Sequence, residues 1–342
     1  MADTVSKKPA IDRRTLLAGA AGGALVGLPS VAVGQVLGMR DRAQRWIETL
    51  DAPQRDAALF DFTDNLRGRW SFMHGARPAP GLPLEEMRAA QKDLALDLVS
   101  SGMSAEGMET ALNIMLQQDI LRDEWNKGSP DRNRERFSLL IFGAPSATDP
   151  WGWRFEGHHL SLSYTLVGDQ VVSVTPSSFS SEPNTVPSGP HQGLVVLPVE
   201  EMGRALFADL SDTHRRAAMI QRDSFGNILT TAGNLGRVGA PDGVPIGDLP
   251  QGQIDRVVRL VGIYTQDHLP TALAQDQQSR VREGDLMSAR FGWAGPNEAE
   301  QSMYYRLHGP TFLIEFATLP RQPQHHHAVR HDFERNMGAH AV

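Results

Sequence analysis

The stretch from Trp151 to Leu166, WGWRFEGHHLSLSYTL, alternates apolar and polar residues and therefore predicts antiparallel β-structure. Before Gly157 the apolar residues stand at odd positions, and from Leu160 onward they stand at even positions. One extra residue in a strand produces such a shift of parity. We therefore interpret the stretch as one strand interrupted by a β-bulge beside Gly157.

The predicted bulge sorts the side chains of this strand onto two faces. Arg154, Glu156 and His159 share a polar face, and His158 lies on the apolar face. Bulges often occur beside active sites because they redirect a side chain. Two interpretations of the histidine pair stay open: a functional role for one of them, or two structural histidines held by hydrogen bonds.

The rest of the chain predicts an α+β fold. Residues 35–125 follow a helical period, and antiparallel strands with hairpin turns come next, followed by further helices and strands. Turn residues place two of the hairpins at Gly168-Asp169 and Gly309-Pro310. We expect N-terminal helices, then a mainly antiparallel sheet with flanking helices. No internal repeat is visible in the sequence.

The N-terminal segment has the pattern of an export signal. Basic residues up to Arg13-Arg14 precede an uncharged run rich in Gly and Ala, and the paired arginines look like the twin-arginine type. The pattern predicts a signal peptide over residues 1–34 and a single α+β domain over residues 35–342. The protein would be periplasmic or secreted, with no membrane anchor after cleavage. The alternative is that the uncharged run anchors the chain in a membrane.

Composition excludes two classes of chemistry. The chain contains no cysteine, so neither a disulfide nor a thiol nucleophile or ligand is available. Its formal net charge is −7, and no cluster of Lys and Arg offers a surface for phosphates, so we expect no nucleic-acid partner.

The segment QHHHAVRHD near the C-terminus predicts a metal site. His325 and His327 are two residues apart, so both rings project from the same side of a strand. Neutral imidazole suits zinc, copper and iron, and zinc is the first expectation. Glu315 lies upstream in a strand whose other face is apolar. It needs a partner, because burying an unpaired carboxylate costs free energy. The expected ligands are His325 and His327 with Glu315, His158 or His159.

Three further residues have predicted roles around this metal. Glu156 is the candidate general base, and Arg154 would orient an anionic group. Arg306 lies on the strand before the Gly309-Pro310 turn and is expected at the same site. The alternative is that these three residues recognise a small ligand without catalysis.

The sequence resembles DUF3500, a family of bacterial and fungal domains of unknown function. The resemblance covers about residues 45–340 and rests on the segments FGAPSATDPWGWRFEGHHLSLSYTLVGDQ, GPHQGLVVLPVEEMGRALFADLS, MYYRLHGPTFLIEF and HHHAVRHDFERNMG. Family members typically show N-H-x-H-x-V-W-R-D near their end. His325 and His327 match its histidines, while Gln324, Arg330 and His331 depart from the pattern. The resemblance implies export and brings no activity.

These observations together predict an exported metal-dependent enzyme. A hydrolase acting on an unknown small or polymeric substrate is the leading hypothesis. The alternative is a non-catalytic periplasmic protein that binds a small ligand.

Overall fold

The structure is a computed structural model that describes residues 38–74, 79–124, 131–281 and 286–342. The predicted signal peptide and its cleavage site lie outside these residues. The described α-helices are α1 (Met39–Glu48), α2 (Ala52–Ala58), α3 (Ala89–Ser101), α4 (Ala105–Asp119), α5 (Val199–Ala208), α6 (Asp212–Ala218), α7 (Gln251–Gly262) and α8 (Thr271–Arg280). None of the described helices has both the length and the apolar character needed to cross a membrane.

Thirteen strands form one sheet. They are β1 (Leu59–Phe60), β2 (Leu82–Pro83), β3 (Ser138–Phe142), β4 (Pro150–Gly157), β5 (Leu160–Val167), β6 (Gln170–Ser173), β7 (Ser177–Phe179), β8 (Met219–Gln221), β9 (Val244–Pro245), β10 (Arg290–Ala294), β11 (Tyr304–His308), β12 (Phe312–Leu319) and β13 (Gln322–Asp332). The order along the sheet is β1-β3-β4-β5-β7-β13-β12-β11-β10-β8, with β2, β6 and β9 paired at its sides. Most pairs are antiparallel, and only β1–β3 and β8–β10 are parallel.

The predicted α+β class is confirmed, with one adjustment at the N-terminus. Helices α1 to α4 do precede the long strands, but the short strands β1 and β2 lie between α2 and α3. Both short strands pair with β3, so the chain enters the sheet twice between α2 and α3, and the first four helices are not one uninterrupted helical segment.

The predicted bulge at Gly157 is wrong. Gly157 pairs with Leu160, so β4 and β5 form a tight hairpin with His158 and His159 as its two turn residues. His159 has φ of 71°, the left-handed conformation that such turns require. A two-residue turn shifts the apolar parity by one position as a bulge does. The predicted faces survive this correction, because Arg154 pairs with Ser163 on the polar side.

The order of elements occurs twice along the chain, which the sequence did not reveal. In each half a ten-residue helix and a seven-residue helix are followed by two short strands, more helices and a meander of three strands. The registers agree as well. In the first half β3 pairs with β1, β2 and β4, and in the second half β10 pairs with β8, β9 and β11 in the same senses.

The two faces of the sheet have different coverings. The apolar sides of the hairpin strands pack with the helices in one large cluster that includes Trp153, Phe155, Ile314 and Phe316. Burying such large side chains supplies most of the favourable free energy of folding. The opposite, polar face is covered by two loop regions, residues 61–74 and 222–243, and it carries the histidines of the candidate site.

Candidate metal centre

Three imidazole rings converge on the polar face of the sheet. The Nε2 atom of His325 lies 2.9 Å from that of His159 and 3.0 Å from that of His327. In tetrahedral zinc sites, ligand nitrogens about 2.0–2.1 Å from the metal are ~3.3 Å apart. Both contacts of His325 are thus a few tenths of an ångström shorter than in a zinc site, and the ligand nitrogens of all three rings lie within 4.8 Å of one another.

Local geometry explains why these three histidines meet. His325 and His327 occupy alternate positions of β13, so their rings project from the same side of the strand. The ring of His326, between them, projects to the other side and contacts Glu200 at 2.8 Å. His159 arrives from the β4–β5 turn. Its backbone N–H donates to the carbonyl of Phe72 at 2.7 Å, which fixes the turn beside β13.

Hydrogen bonds to Nδ1 leave the Nε2 lone pairs of two rings facing the centre. His327 Nδ1 lies 2.7 Å from Asn227 Oδ1, and His325 Nδ1 lies 2.8 Å from Gln322 Oε1. An amide oxygen only accepts, so each Nδ1 carries the proton and each Nε2 presents a lone pair. Two lone pairs 3.0 Å apart repel each other unless a cation lies between them. Oriented histidines of this kind are typical of metal sites.

Burial keeps the histidines in the neutral form that metals bind. Desolvation lowers the pKa of His327 to about 3, and it lowers the pKa of His159 well below the ordinary value. The charge of the neighbouring imidazoles acts in the same direction. The side chain of His325 is 13% exposed, so this residue is the one of the three nearest to solvent.

His158 supports the centre from behind. Its ring stacks on that of His159 with the centroids 3.6 Å apart. The Nη1 atom of Arg132 and the Oε1 atom of Gln118 lie 2.7 and 2.9 Å from His158 Nδ1, so protein groups occupy this nitrogen. A second group of potential ligands combines His158 and His159 with Glu182. The guanidinium beside His158 makes that group less suited to a cation, so the geometry favours His159 as the ligand.

Comparison with known protein families covers nearly the whole described chain. The model of the family described as protein of unknown function (DUF3500) matches residues 34–338. The chain belongs to the DUF3500 family. No curated protein and no solved structure matches it. The matched region contains every residue of the centre in this DUF3500 chain.

Glu315 does not join the ligand atoms of this centre. It lies on the same sheet face as His327, as the alternation of β12 predicts. Both carboxylate oxygens, however, accept hydrogen bonds from the loop 227–231 and from Tyr304. The need of this buried carboxylate for partners was predicted correctly, but the partners are protein groups and not a metal.

Arg154 and Glu156 are structural in this DUF3500 chain. Glu156 is fully buried, and its Oε2 accepts from the backbone N–H of Ser71 at 3.0 Å and lies 2.9 Å from Arg154 Nε. Arg154 Nη1 donates to the carbonyls of Leu66 and Arg67. A buried arginine bound to backbone carbonyls does not orient an anionic ligand, and a fully buried carboxylate is poorly placed as a general base.

Arg306 has a similar structural position in the second half. It is 4% exposed and donates to the carbonyls of Val238 at 2.9 Å and Ala240 at 3.4 Å. It does not reach the histidines through any of these contacts. The polar face that Arg154, Glu156 and Arg306 were expected to offer to a small ligand is therefore closed by the protein itself.

Sequence reasoning missed the residues that orient the ligands. These are Asn227, Gln322 and Glu182, whose Oε2 lies 3.4 Å from His325 Nδ1. Asn227 lies in a loop a hundred residues before its histidine, and no local pattern points to it. Gln322 stands three residues before His325 in β13, and this spacing is the only signal that the sequence offers.

Proposed function

We propose that this DUF3500 chain is an exported metal-dependent enzyme, a hydrolase, with His159, His325 and His327 as its metal ligands. The observation that carries the proposal is the convergence of three Nε2 atoms, with His325 Nε2 2.9 Å from His159 Nε2 and 3.0 Å from His327 Nε2 and with the lone pairs of His325 and His327 facing each other. A purely structural histidine cluster would place a donor against an acceptor at each contact.

Zinc is the metal that we propose first. Three neutral imidazoles and one open position form a donor set found in catalytic zinc sites, and copper and iron accept the same donors. A metal held there would supply Lewis acidity and lower the pKa of a water molecule towards neutrality. A small or polymeric substrate would approach past His325, which is the exposed side of the centre.

Glu182 is the carboxylate that we assign to this site in place of Glu156 and Glu315. Its Oε2 atom lies 3.4 Å from His325 Nδ1, on the side of the ring remote from the metal. A carboxylate in this position increases the basicity of the histidine and holds its orientation. Gln322 shares the same Nδ1 atom.

Metal analysis of protein purified without a histidine tag tests the proposal. We expect about one equivalent of metal in the wild-type chain and a loss of most of it in His327→Gln and His159→Asn. Asn suits position 159 because it tolerates positive φ. His326→Gln is the matched control, since its ring lies on the other face of β13 and should leave the metal content unchanged. Metal below one-tenth of an equivalent in the wild type, before and after zinc loading, would end the proposal.

The hydrolase assignment needs a separate measurement. We expect the zinc-loaded chain to cleave at least one of a set of chromogenic carboxylic esters, phosphoesters and glycosides, and chelation should abolish this activity. Turnover that is identical in the wild type and in His327→Gln would show that the activity does not come from this centre.

Export is proposed from the pattern of residues 1–34 alone. Expression of the full chain in a bacterium with twin-arginine export should give a periplasmic protein that lacks about the first 34 residues, as determined by intact mass. Replacement of Arg13 and Arg14 by Lys should retain it in the cytoplasm, and periplasmic protein of uncleaved mass would contradict the proposed cleavage.

A further inference from the structure

We infer that Glu315 is a positioning residue that controls the metal affinity of the centre through the segment Asn227–Thr230. The inference rests on the proposed metal site and adds a residue that does not touch the metal. Glu315 binds the segment, and the segment in turn binds His327. The equivalent position in the first half of the chain carries a different residue.

Each carboxylate oxygen of Glu315 accepts two hydrogen bonds, and three of these four come from the segment. Its Oε1 accepts from the N–H of Leu229 at 2.9 Å and from the hydroxyl of Tyr304 at 2.8 Å. Its Oε2 accepts from the N–H of Thr230 at 3.1 Å and also from the Thr230 hydroxyl. Hydrogen bonds to an ionised carboxylate are about twice as strong as neutral ones, so this is a firm attachment of a loop to β12.

The other end of the segment orients a metal ligand. Asn227 Oδ1 accepts from His327 Nδ1 at 2.7 Å and from the N–H of Ile228 at 2.8 Å. The N–H of Ile228 fixes the amide with its oxygen towards His327. Only two residues separate Asn227 from Thr230, so a shift of the anchored residues also moves the amide. Without this acceptor the proton of His327 is free to move to Nε2, where it blocks the metal.

A histidine of β13 adds a second attachment at the same residue. His331 Nε2 lies 3.3 Å from the carbonyl of Thr230, and its Nδ1 lies 3.0 Å from Asn336 Nδ2. Thr230 therefore has its N–H, hydroxyl and carbonyl all bound by β12 and β13. The segment is fixed against the two strands that flank the centre.

The first half of the chain shows that the fold itself does not need this carboxylate. In the strand register, Arg306 lies opposite Glu315 in the second hairpin, and Arg154 lies opposite Ser163 at the equivalent place in the first. The hydroxyl of Ser163 has no hydrogen-bond partner among the described residues. At this strand position only the second half has a carboxylate, which holds the loop that orients His327. In the first half Glu156, two positions after Arg154, accepts from the loop N–H of Ser71 instead.

Zinc affinity of four proteins tests the inference, measured by competition with a chromophoric chelator. They are the wild type, Glu315→Gln, Asn227→Ala and the double variant. Loss of a residue that orients a metal ligand costs ~10–100-fold in affinity. We expect such a loss in each single variant and no further loss in the double variant, because both changes act through one segment. Wild-type affinity in Glu315→Gln, or losses that multiply in the double variant, would overturn the inference.

A matched control separates this role from a general effect of removing a buried carboxylate. Glu200 contacts His326 on the other face of β13 and also binds Arg204. Glu200→Gln removes a comparable carboxylate–histidine contact without any contact to the segment, and we expect zinc affinity within twofold of wild type. If Glu315→Gln fails to fold, Tyr304→Phe takes its place. That variant removes one of the four hydrogen bonds and should weaken zinc binding by a few-fold.

A second readout does not depend on zinc. In metal-free protein with ¹⁵N-labelled histidine, the wild type should show the Nδ1–H tautomer at His327, and Glu315→Gln should show a mixture of tautomers. If the wild type binds no zinc but the tautomer changes, the metal site is refuted and the positioning by Glu315 stands. If the wild type binds zinc and neither affinity nor tautomer changes in Glu315→Gln, the positioning is refuted and the metal site stands.

Discussion

The two hairpins at the centre of the sheet have the same strand pairing and different residues at their turns. In β4–β5, Gly157 pairs with Leu160 around the turn His158-His159. In β11–β12, the N–H of Gly309 donates to the carbonyl of Phe312 around the turn Pro310-Thr311. The first turn contributes His159 to the histidine cluster, and the second contributes no residue to it. The same hairpin thus occurs twice, but only one of its two turns belongs to the candidate site.

The buried arginines show what both copies require. Arg154 and Arg306 each donate to carbonyls of a 3-10 turn in the loop region that covers their half, at residues 65–68 and 235–238. The neighbours two positions later differ. Glu156 neutralises Arg154, whereas His308 follows Arg306. The arginines therefore belong to the fold, which explains why neither serves the metal centre.

The largest expected difference between the hairpins comes from removing these arginines. Arg154→Met leaves Glu156 buried without its counter-charge and should lower the free energy of unfolding by about 3–5 kcal/mol. Arg306→Met leaves the carbonyls of Val238 and Ala240 and the hydroxyl of Tyr304 without this donor, and should cost about 1–3 kcal/mol. Urea unfolding of both variants measures the difference. Equal losses would show that the Arg154–Glu156 pair contributes nothing beyond the carbonyl contacts.

The glycines before the two turns should respond alike. A Cβ atom at Gly157 would lie 2.5 Å from the ring of Phe137, and one at Gly309 would lie 2.5 Å from the ring of Phe312. One aromatic ring thus covers each glycine, but Phe137 directly precedes β3, whereas Phe312 is the first residue of β12. Overpacking of this kind costs about 1–3 kcal/mol, and we expect this loss for both Gly→Ala variants. A loss confined to one variant, in thermal or urea unfolding, would break the equivalence of the two hairpins.

Acid should weaken the second hairpin through His308, as it weakens the first through His158 and His159. Burial, with the charge of Arg306 as a smaller cause, lowers the pKa of His308 to about 4. The unfolded chain therefore binds a proton more tightly, so the stability that neutral His308 gives is present above pH 6.5 and is lost as pH falls towards 4. Between pH 7.5 and pH 5, the free energy of unfolding of the wild type should therefore fall by about 1–2 kcal/mol more than that of His308→Gln. A stability difference that is the same at both pH values would contradict this assignment.

The smallest effect is expected at Ser163. Its buried hydroxyl lacks a partner among the described residues, so Ser163→Ala removes an unsatisfied group. We expect a change of less than about 1 kcal/mol in the stabilising direction. A clear destabilisation in urea unfolding would reveal an unseen partner of this hydroxyl, such as a water molecule.

The sequence predicted the local features of the fold and missed the long-range ones. Alternation assigned the faces of β4, β5 and β12 correctly, and the spacing of His325 and His327 placed both rings on one side. The same alternation did not distinguish a bulge from a two-residue turn, because both shift the parity by one. The repeat was missed because the hairpins share few identical residues, among them the arginine and the glycine. Asn227 was missed because nothing local connects a loop amide to a strand a hundred residues later.

The three histidines come from both halves of the chain. His159 belongs to the first hairpin, and its Nε2 contact with His325 joins residues 166 positions apart in the chain. A bound ion would thus act as a removable cross-link over the β7–β13 seam, closing a very long loop of the unfolded chain. Neither half on its own would contain a complete set of ligands. Two fragments produced by a cut between residues 185 and 196 would then associate more tightly with zinc than without it.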